Sequence, residues 1–342
     1  MKLSKDLGID LGTANILIYA SGKGIVTREP SVVAIDKTSG KLLQSGAEAR
    51  MMLGRTPGNV AAVRPMRNGV VSDYELTVKM LREFLHRVDR FALVKPRVVI
   101  SVPSSISEME ERAVIQAALE AGARRAYLIE EPLAAALGAG LDISGPSGHM
   151  VVDIGGGTTD VAVLSLNGVV KSESLQVAGD HFDDAIIRYL RRRYNVLVGS
   201  QTAETIKMTI GCVYERSETA TMIAKGRDLK SGLPREVELR SEEMIQALRS
   251  SSQQIIDTVQ SVLEETPPEL VNDIAESGIV LTGGGSLIWG MDRLVEEATG
   301  IVCSVADDAE SCVVLGIGKS LNWIGQMQEG TINLARKKLL SE

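Results

Sequence analysis

The chain has 342 residues, a length that predicts two domains rather than a single core. Hydrophobic residues make up 44% of it and aromatic residues only 3%, so the core should be aliphatic. The net charge of −7, without a basic patch interleaved with aromatic residues, argues against nucleic-acid binding. Three widely spaced cysteines without a C-x-x-C pair exclude a zinc ribbon and a disulfide scaffold, and we predict that they are small buried residues.

Apolar β-type runs alternate with helical patterns along the chain, which predicts an α/β fold. The first half opens with a hairpin of two apolar runs, residues 7–9 and 16–19, and a further strand is expected over residues 31–35. No apolar signal region precedes the first strand, and no window is long enough and apolar enough to span a membrane. We therefore expect a cytoplasmic protein.

Helix boundaries are marked by capping residues and prolines. Two S-x-x-E patterns, beginning at Ser72 and Ser107, predict capping boxes at the starts of two helices. Pro132 suits the first turn of a helix that should end near residues 138–140. A longer helix is expected from about residue 241 to residue 265, closed by a pair of prolines.

The second half repeats the opening of the first. A stretch rich in Gly, Pro and Ser, residues 144–148, marks the expected break. A second hairpin follows, with apolar runs over residues 150–152 and 161–166, and residues 166–169 predict a two-residue turn into the next strand. Each half should therefore begin with an antiparallel meander and continue with helices.

The turns of the two hairpins follow one design. Residues 10–14 and 153–159 each place an aspartate (Asp10, Asp153) at a strand end, followed by glycine and a hydroxyl residue. A glycine-rich turn leaves backbone N–H groups free to bind phosphate oxygens, and a carboxylate is a hard ligand for Mg²⁺ or its waters. An aspartate alone can serve only to form a turn. The repetition favours a duplicated fold that closes on a nucleoside triphosphate.

A candidate catalytic carboxylate lies between the hairpins. Glu131 follows an apolar strand and directly precedes Pro132. One interpretation is a simple helix start, where the helix dipole favours negative charge. The other gives Glu131 the role of orienting a water molecule for attack on the terminal phosphate, with the neighbouring Glu130 less favoured.

Two later motifs have both structural and functional interpretations. Glu204 and Lys207 share a helical face, which by itself favours an ordinary surface ion pair. The run of three glycines at 283–285 forms either a tight turn or a close approach to a ligand. Residues 318–320 suggest a Walker loop, but Val313 stands where its first glycine should be, so a helix surface is the better interpretation. A dinucleotide fold is disfavoured because no G-x-G-x-x-G occurs.

Together these motifs resemble the actin-type ATPase superfamily and, more closely, the bacterial MreB family with its Mbl-type paralogues. The resemblance covers nearly the whole chain, and its narrowest signals are residues 54–59 and 226–234. The other matching stretches are 8–15, 29–34, 64–66 with 69–70, 130–132, 152–159, 202–207, 266–270 and 281–285. Ile16 and Asp160 depart from it, since many relatives hold Thr and Glu there.

The resemblance implies an α/β, actin-like ATPase fold: two duplicated domains with RNase H-like cores around a nucleotide cleft. The first domain would span residues 1–145, with a small subdomain at about 33–75. The second would span residues 146–342, with a small subdomain at about 180–260. The C-terminal helix would pack back on the first domain.

The resemblance also implies roles for single residues. Glu131 and Thr158 would position the attacking water, and Asp10 and Asp153 would hold Mg²⁺, through its waters. Contact with ATP, or with ADP after hydrolysis, would come from Gly12, Thr13, Ala14, Asn15, Gly155, Gly156, Gly157, Thr158, Thr159, Glu204, Lys207, Gly283, Gly284, Gly285, Ser286 and Leu287. For Glu204 and Lys207 this reverses the interpretation as a surface ion pair.

The implied function is a slowly hydrolysing ATPase that polymerises with itself, in paired protofilaments, at the inner face of the cytoplasmic membrane. Its partners would be membrane-anchored shape-determining and cell-wall synthesis proteins. Phe91, Leu93 and Val94, flanked by basic residues, would form a membrane loop, or else the edge of a core strand. Two alternatives stay open: a small-molecule phosphotransferase of the same superfamily, for which no acceptor base is evident, and an actin-like adaptor that does not hydrolyse nucleotide.

Overall fold

The computed structural model of the chain describes residues 6–88 and 94–325. Phe91 and Leu93 of the predicted membrane loop lie outside these residues, as does the predicted C-terminal helix, residues 335–340. Val94 is described and is partly buried.

The strands and helices alternate as the sequence predicts. The strands are β1 (Asp6–Leu11), β2 (Asn15–Ala20), β3 (Gly24–Pro30), β4 (Val33–Asp36), β5 (Leu42–Ser45), β6 (Val60–Val63), β7 (Met66–Arg67), β8 (Val70–Val71), β9 (Arg97–Val102), β10 (Arg125–Glu130), β11 (His149–Ile154), β12 (Thr159–Ser165), β13 (Gly168–Leu175), β14 (Val196–Leu197), β15 (Thr221–Asp228), β16 (Pro234–Arg240), β17 (Ile279–Thr282) and β18 (Cys303–Val305). The α-helices are α1 (Ala47–Met51), α2 (Tyr74–Val88), α3 (Glu108–Ala121), α4 (Glu131–Ala139), α5 (Gly179–Tyr194), α6 (Ser200–Ile210), α7 (Ser241–Glu264), α8 (Pro268–Ser277), α9 (Met291–Thr299) and α10 (Cys312–Ser320).

Two five-stranded sheets of the same topology organise these elements. The first has the order β3-β2-β1-β9-β10 and the second the order β13-β12-β11-β17-β18. In each, the first three strands form an antiparallel meander, and the last two join it in parallel. The duplicated α/β architecture predicted from the two hairpins is confirmed.

The same register places the two strand-end aspartates in equivalent positions. Asp10 pairs with Leu17 across the first hairpin, and Asp153 pairs with Asp160 across the second. Both therefore lie one residue before the end of the central strand of their five-stranded sheet. In the second meander Leu166 and Asn167 have φ of 52° and 59°, as a type I′ turn requires, so the predicted two-residue turn is confirmed.

Two smaller three-stranded sheets accompany the large ones. Their orders are β5-β4-β6 and β14-β15-β16. They lie inside the ranges predicted for the two small subdomains. The limits of the domains and subdomains stay predictions.

The observed helix boundaries agree with the predicted ones, except at one predicted N-cap. Ser107 forms the predicted capping box with Glu110 at the start of α3. The box predicted at Ser72 is wrong, because α2 begins at Tyr74 and the backbone N–H of Leu76 donates to Asp73 Oδ1 at 3.0 Å. Aspartate is as strong an N-cap as serine, and here it stands one residue nearer the helix.

The halves meet at a helix pair. Helices α4 and α10 pack together, and a hydrophobic cluster around them contains residues of both large sheets, among them Val99 and Val151. A Cβ added at Gly316 would collide with the backbone carbonyl of Ala134, and one added at Gly138 would collide with that of Cys312. Glycine therefore allows the two helices to approach backbone to backbone. All three cysteines are buried, as predicted.

Candidate nucleotide site

A cavity of about 390 Å³ lies between the two large sheets. Its size is that of a small-molecule site, and its lining comes from both halves of the chain. The predicted site residues that line it are Asp10, Gly12, Thr13, Ala14, Asn15, Glu131, Asp153, Gly155, Gly156, Gly157, Thr158, Glu204, Lys207, Gly283, Gly284, Gly285 and Leu287. Glu131 lines the cavity and Glu130 does not.

Two predicted residues, Thr159 and Ser286, do not line the cavity. The Thr159 hydroxyl is buried and donates to the backbone carbonyl of Val177 at 2.7 Å. The Ser286 hydroxyl donates to the carbonyl of Gly283 at 2.6 Å. Both side chains hold the backbone of neighbouring turns in place.

One wall of the cavity, here called the turn wall, consists of residues 10–15 and 153–158. The two turns are in contact. A Cβ added at Gly156 would lie 2.7 Å from Ala14 Cβ, and one at Gly157 would lie 2.5 Å from Thr13 Oγ1. Glycine at these positions therefore lets two backbones approach each other and leaves their N–H groups uncovered by side chains.

Neighbouring elements fix the shape of both turns. The Gly12 carbonyl accepts from the Ser31 hydroxyl at 2.7 Å, and Thr13 Oγ1 accepts from the backbone N–H of Gly69 at 2.9 Å. The carbonyls of the second turn accept from the first N–H groups of α5: Gly179 donates to Gly155 at 3.1 Å and Asp180 to Gly156 at 2.8 Å.

Four carboxyl groups, those of Asp10, Glu131, Asp153 and Asp160, lie in or beside the turn wall. Burial is the main cause that raises the pKa of Asp10 to about 7 and that of Asp153 to about 7, although each also accepts a hydrogen bond, from Ser101 at 3.3 Å and from Thr282 at 2.8 Å. Burial likewise raises the pKa of Asp160 to about 6. The pKa of Glu131 is raised well above its usual range, by burial first and then by the three aspartates.

These carboxyl groups fit a magnesium ion that also has a phosphate ligand. Within the described ranges, no group of three or more acidic, histidine or cysteine residues stands close enough to hold a metal by itself. Mg²⁺ in proteins is usually bound by one or two carboxylates, several waters and the phosphates of a substrate. Asp10 and Asp153 supply such carboxylates, and a bound cation would favour their ionised form, which burial disfavours.

Glu204 and Lys207 line the cavity from α6, and both have protein partners. Glu204 Oε2 accepts from Arg50 at 2.6 Å, and Lys207 Nζ lies 3.0 Å from Asp183 Oδ1. A third ion pair joins Arg64 to Asp180 at 2.7 Å, and like the pair of Arg50 with Glu204 it links residues distant in the chain. Arg50 and Arg64 belong to the first half of the chain, so these two pairs connect the halves across the cleft.

A second part of the cavity lining, here called the loop wall, consists mainly of side chains. Its residues are Met208, Gly211, Arg216, Leu287 and Trp289. Sequence reasoning named only Leu287 among them. Met208 is 75% exposed, Leu287 56% and Trp289 41%, which is unusual for large apolar side chains that line a cavity. The guanidinium of Arg216 lies over the Trp289 ring, 4.9 Å from its centre. No sequence motif marks the other four positions.

Comparison with known proteins settles the family. A family model described as MreB/Mbl protein matches residues 4–329. The chain belongs to the MreB/Mbl family. It is 51% identical to the cell shape-determining protein MreB of Escherichia coli K12 over 327 residues, 94% of each chain. It is 48% identical to the cell shape-determining protein Mbl of Bacillus subtilis 168 over 320 residues, 93% of this chain and 96% of that one.

Solved structures agree with this MreB/Mbl assignment. The structure of MreB5 of Spiroplasma citri bound to AMPPNP has a TM-score of 0.91 at 38% identity and covers 95% of this chain and 98% of that one. The ADP-bound form of MreB5 has a TM-score of 0.90, also at 38% identity, and covers 94% and 98%. The MamK filament structure, at 23% identity and a TM-score of 0.80 over 93% and 99%, shares the fold. The predicted actin-like fold is confirmed.

Proposed function

We propose that this MreB/Mbl protein binds ATP with Mg²⁺ in the cleft and hydrolyses it slowly, and that the bound nucleotide controls assembly into filaments that organise cell-wall synthesis and cell shape. The observation that carries the proposal is the turn wall. Two glycine-rich turns from equivalent strands meet there in front of buried carboxyl groups. The relatives that are named cell shape-determining proteins, and the nucleotides in MreB5, support it.

The turn wall is suited to a triphosphate. Backbone N–H groups of residues 12–15 and 155–158 would bind phosphate oxygens from two sides. Asp10 and Asp153 would hold the waters of Mg²⁺, which, when bound, supplies charge compensation for the phosphate oxygens. The nucleotide thus brings together two turns that belong to different halves of the chain.

Glu131 and Thr158 would position the water that attacks the terminal phosphate. Glu131 begins α4, lines the cavity and is held among buried groups, so its carboxylate has little freedom to turn away. Its raised pKa makes it a better proton acceptor than an exposed glutamate once it is ionised. Thr158 is buried, lines the cavity and lies near Asp160.

The ion pairs across the cleft suggest how nucleotide controls assembly. Arg50 with Glu204 and Arg64 with Asp180 join the halves at the same cavity that the nucleotide would bridge. A ligand shifts the equilibrium between an open and a closed cleft only through its higher affinity for one of the two forms. ATP, with one phosphate more than ADP between the two turns, would favour the closed form, and we propose that the closed form polymerises.

Sedimentation of the purified protein tests the proposal. We expect pelleting with Mg²⁺-ATP, less pelleting with Mg²⁺-ADP, and the least without nucleotide. Equal pelleting in all three buffers would contradict the coupling. Phosphate transfer only when a small-molecule acceptor is added would favour a phosphotransferase, and binding without any phosphate release would favour an adaptor.

We further propose that the filaments lie at the inner face of the cytoplasmic membrane, beside membrane-anchored shape-determining proteins. In the part of the chain that the structure describes, no helix is long and apolar enough to cross a membrane. Attachment would use the loop with Phe91 and Leu93, repeated along a filament so that weak single contacts add up. Phe91→Ser/Leu93→Ser protein that still pellets should lose co-sedimentation with anionic liposomes. Leu229→Ser/Leu233→Ser, which removes two exposed leucines elsewhere, is the matched control.

A further inference from the structure

Arg28 connects the two halves of the chain at a further place. It lies on β3, the edge strand of the first large sheet, and reaches residues 308–311 of the second half. Its Nη1 donates to Glu310 Oε2 at 2.8 Å, and its Nη2 donates to the Ser311 hydroxyl and lies 3.6 Å from Asp308 Oδ1. One guanidinium therefore contacts three side chains of the other half.

Residues 308–311 keep a backbone conformation that needs support. Asp308 has φ of 46°, in the left-handed region that residues other than glycine rarely adopt. Such a backbone persists where the surrounding structure holds it. Ser311 is fully buried, and its hydroxyl accepts a hydrogen bond from Arg28, without which a buried polar group is unfavourable. Arg28 thus stabilises these residues from the opposite half.

The same residues are attached to the three-glycine turn. The Ala309 carbonyl accepts from the backbone N–H of Gly283 at 2.9 Å. A Cβ added at Gly284 would lie 3.4 Å from Glu310 Oε1, the second carboxylate oxygen of the residue that Arg28 binds. A displacement of the turn would therefore move residues 308–311 and, through Arg28, would reach β3.

This contact lies beside the helix pair at which the halves meet. Helix α10 begins at Cys312, directly after residues 308–311, and contacts both α4 and β3. Arg50 and Arg64 instead reach α6 and the start of α5. Rotation of the halves about the α4–α10 pair moves nearby atoms less than distant ones. The Arg28 contact can therefore persist while the cleft opens and closes.

We propose that Arg28 and residues 308–311 form a brace that passes the position of the three-glycine turn to the first half of the chain. Arg28 is a positioning residue in this brace, because it acts on the turn through Glu310 and its neighbours. The inference rests on the proposed nucleotide-dependent assembly and adds a contact through which an occupied cavity biases the angle between the halves. The brace should determine how strongly assembly depends on nucleotide, with little effect on nucleotide affinity.

Hydrogen exchange measures this transmission directly. Mg²⁺-AMPPNP should slow amide exchange of the wild type in residues 279–288 and in residues 24–31. In Arg28→Gln and in Glu310→Gln it should slow exchange in residues 279–288 alone. Lys225→Gln, which breaks an exposed ion pair within the second half, is the matched control and should behave as the wild type.

Three results of the exchange experiment would contradict the account. Slower exchange of both stretches in the Arg28 and Glu310 variants would overturn the inference, and so would a wild type protected in residues 279–288 alone. A wild type protected in neither stretch would overturn the proposed nucleotide binding itself, and the inference with it.

Sedimentation measures the consequence for assembly. The critical concentration in Mg²⁺-ADP divided by that in Mg²⁺-ATP should fall about fivefold in each single variant, while the ATP affinity of the unassembled protein changes by less than about threefold. Arg28→Glu/Glu310→Arg exchanges the two charges and should restore most of the ratio. A ratio that is not restored, together with a loss of ATP affinity, would mean that Arg28 binds the nucleotide directly and would overturn the brace.

Discussion

The turn wall and the loop wall line the same cavity, yet the first is formed mainly by backbone and the second mainly by side chains. At the turn wall, backbone approaches backbone through glycine, and the side chains that matter are buried carboxyl groups. At the loop wall the side chains of Met208, Arg216 and Trp289 are themselves the surface, with Met208 and Trp289 exposed and Arg216 half-buried. Backbone geometry restricts which residues fit, whereas an exposed side chain can change without affecting the fold. We therefore expect the reaction to depend on the turn wall and ligand preference on the loop wall.

The largest effect, on the rate of phosphate release, is expected at Glu131 beside the turn wall. Glu131→Gln should slow phosphate release about 100-fold or more while ATP still binds, because a positioned base contributes that much. Phosphate release in single-turnover assays provides the measurement. Glu130→Gln, one residue earlier and outside the cavity lining, should keep the rate within a few-fold of the wild type. Equal slowing in both variants would mean that Glu131 has only a structural role.

A somewhat smaller effect is expected at Asp153. Asp153→Asn should weaken ATP binding on the order of tenfold in Mg²⁺ and have little effect in EDTA, because only the metal-dependent part of the affinity is lost. Calorimetry measures the ATP affinity of the same variant in the Mg²⁺ buffer and in the EDTA buffer. The same loss in EDTA would show that Asp153 acts on the fold or on the phosphates directly.

The raised pKa values predict how the stability of the free protein depends on pH. Asp10 and Asp153 titrate near pH 7 in the folded state and near 3.8 when unfolded, so the folded state holds more protons between these limits. Their contribution is complete below about pH 4 and is lost as the pH rises through about 7, at up to about 1.4 kcal/mol per pH unit for each group.

Urea unfolding between pH 5 and pH 8 measures this slope, the change in the free energy of unfolding per pH unit. Asp153→Asn should make it shallower. Asp36→Asn should leave it unchanged, because hydrogen bonds from Ser39 lower the pKa of that exposed carboxyl and its titration lies below this window. A wild type that gains stability over the same range would contradict the assignment of buried, protonated aspartates.

The smallest effect is expected at the ion pairs that close the cleft. Arg64→Gln removes the partly buried pair with Asp180 and should speed nucleotide release by about threefold to fivefold, since such a pair contributes roughly 1 kcal/mol or less. Stopped-flow displacement of a fluorescent ATP analogue measures the rate. Lys225→Gln, which breaks an exposed pair with Glu236, is the control and should not change it. An unchanged rate in Arg64→Gln would remove the pair from cleft closure.

The same contrast explains what could be predicted from the sequence. Asp10, Asp153 and the glycines around them are restricted by local backbone geometry, so their pattern is visible in the chain. Pro132 at the first turn of α4 and the Leu166-Asn167 turn are equally local. At Ser72 the same local reasoning fails because Asp73, an equally good cap, lies one residue nearer the helix.

The rest depends on contacts between distant parts of the chain. Arg64 and Asp180 are 116 residues apart, and nothing in either neighbourhood indicates the other. Arg216 and Trp289 meet only because the loop after α6 and the turn after β17 pair through Cys212 and Val213. Such contacts form only in the folded chain. The pattern of aliphatic residues along the sequence does not indicate which distant residues will meet.

The central claim is that both glycine-rich turns bind one triphosphate. A crystal structure of the protein with Mg²⁺ and AMPPNP tests it most directly. We expect phosphate oxygens within hydrogen-bond distance of backbone N–H groups in residues 12–15 and in residues 155–158 at once, with Asp10 and Asp153 facing the metal and its waters. A nucleotide that contacts one turn only, or that lies outside the cavity, would contradict the account.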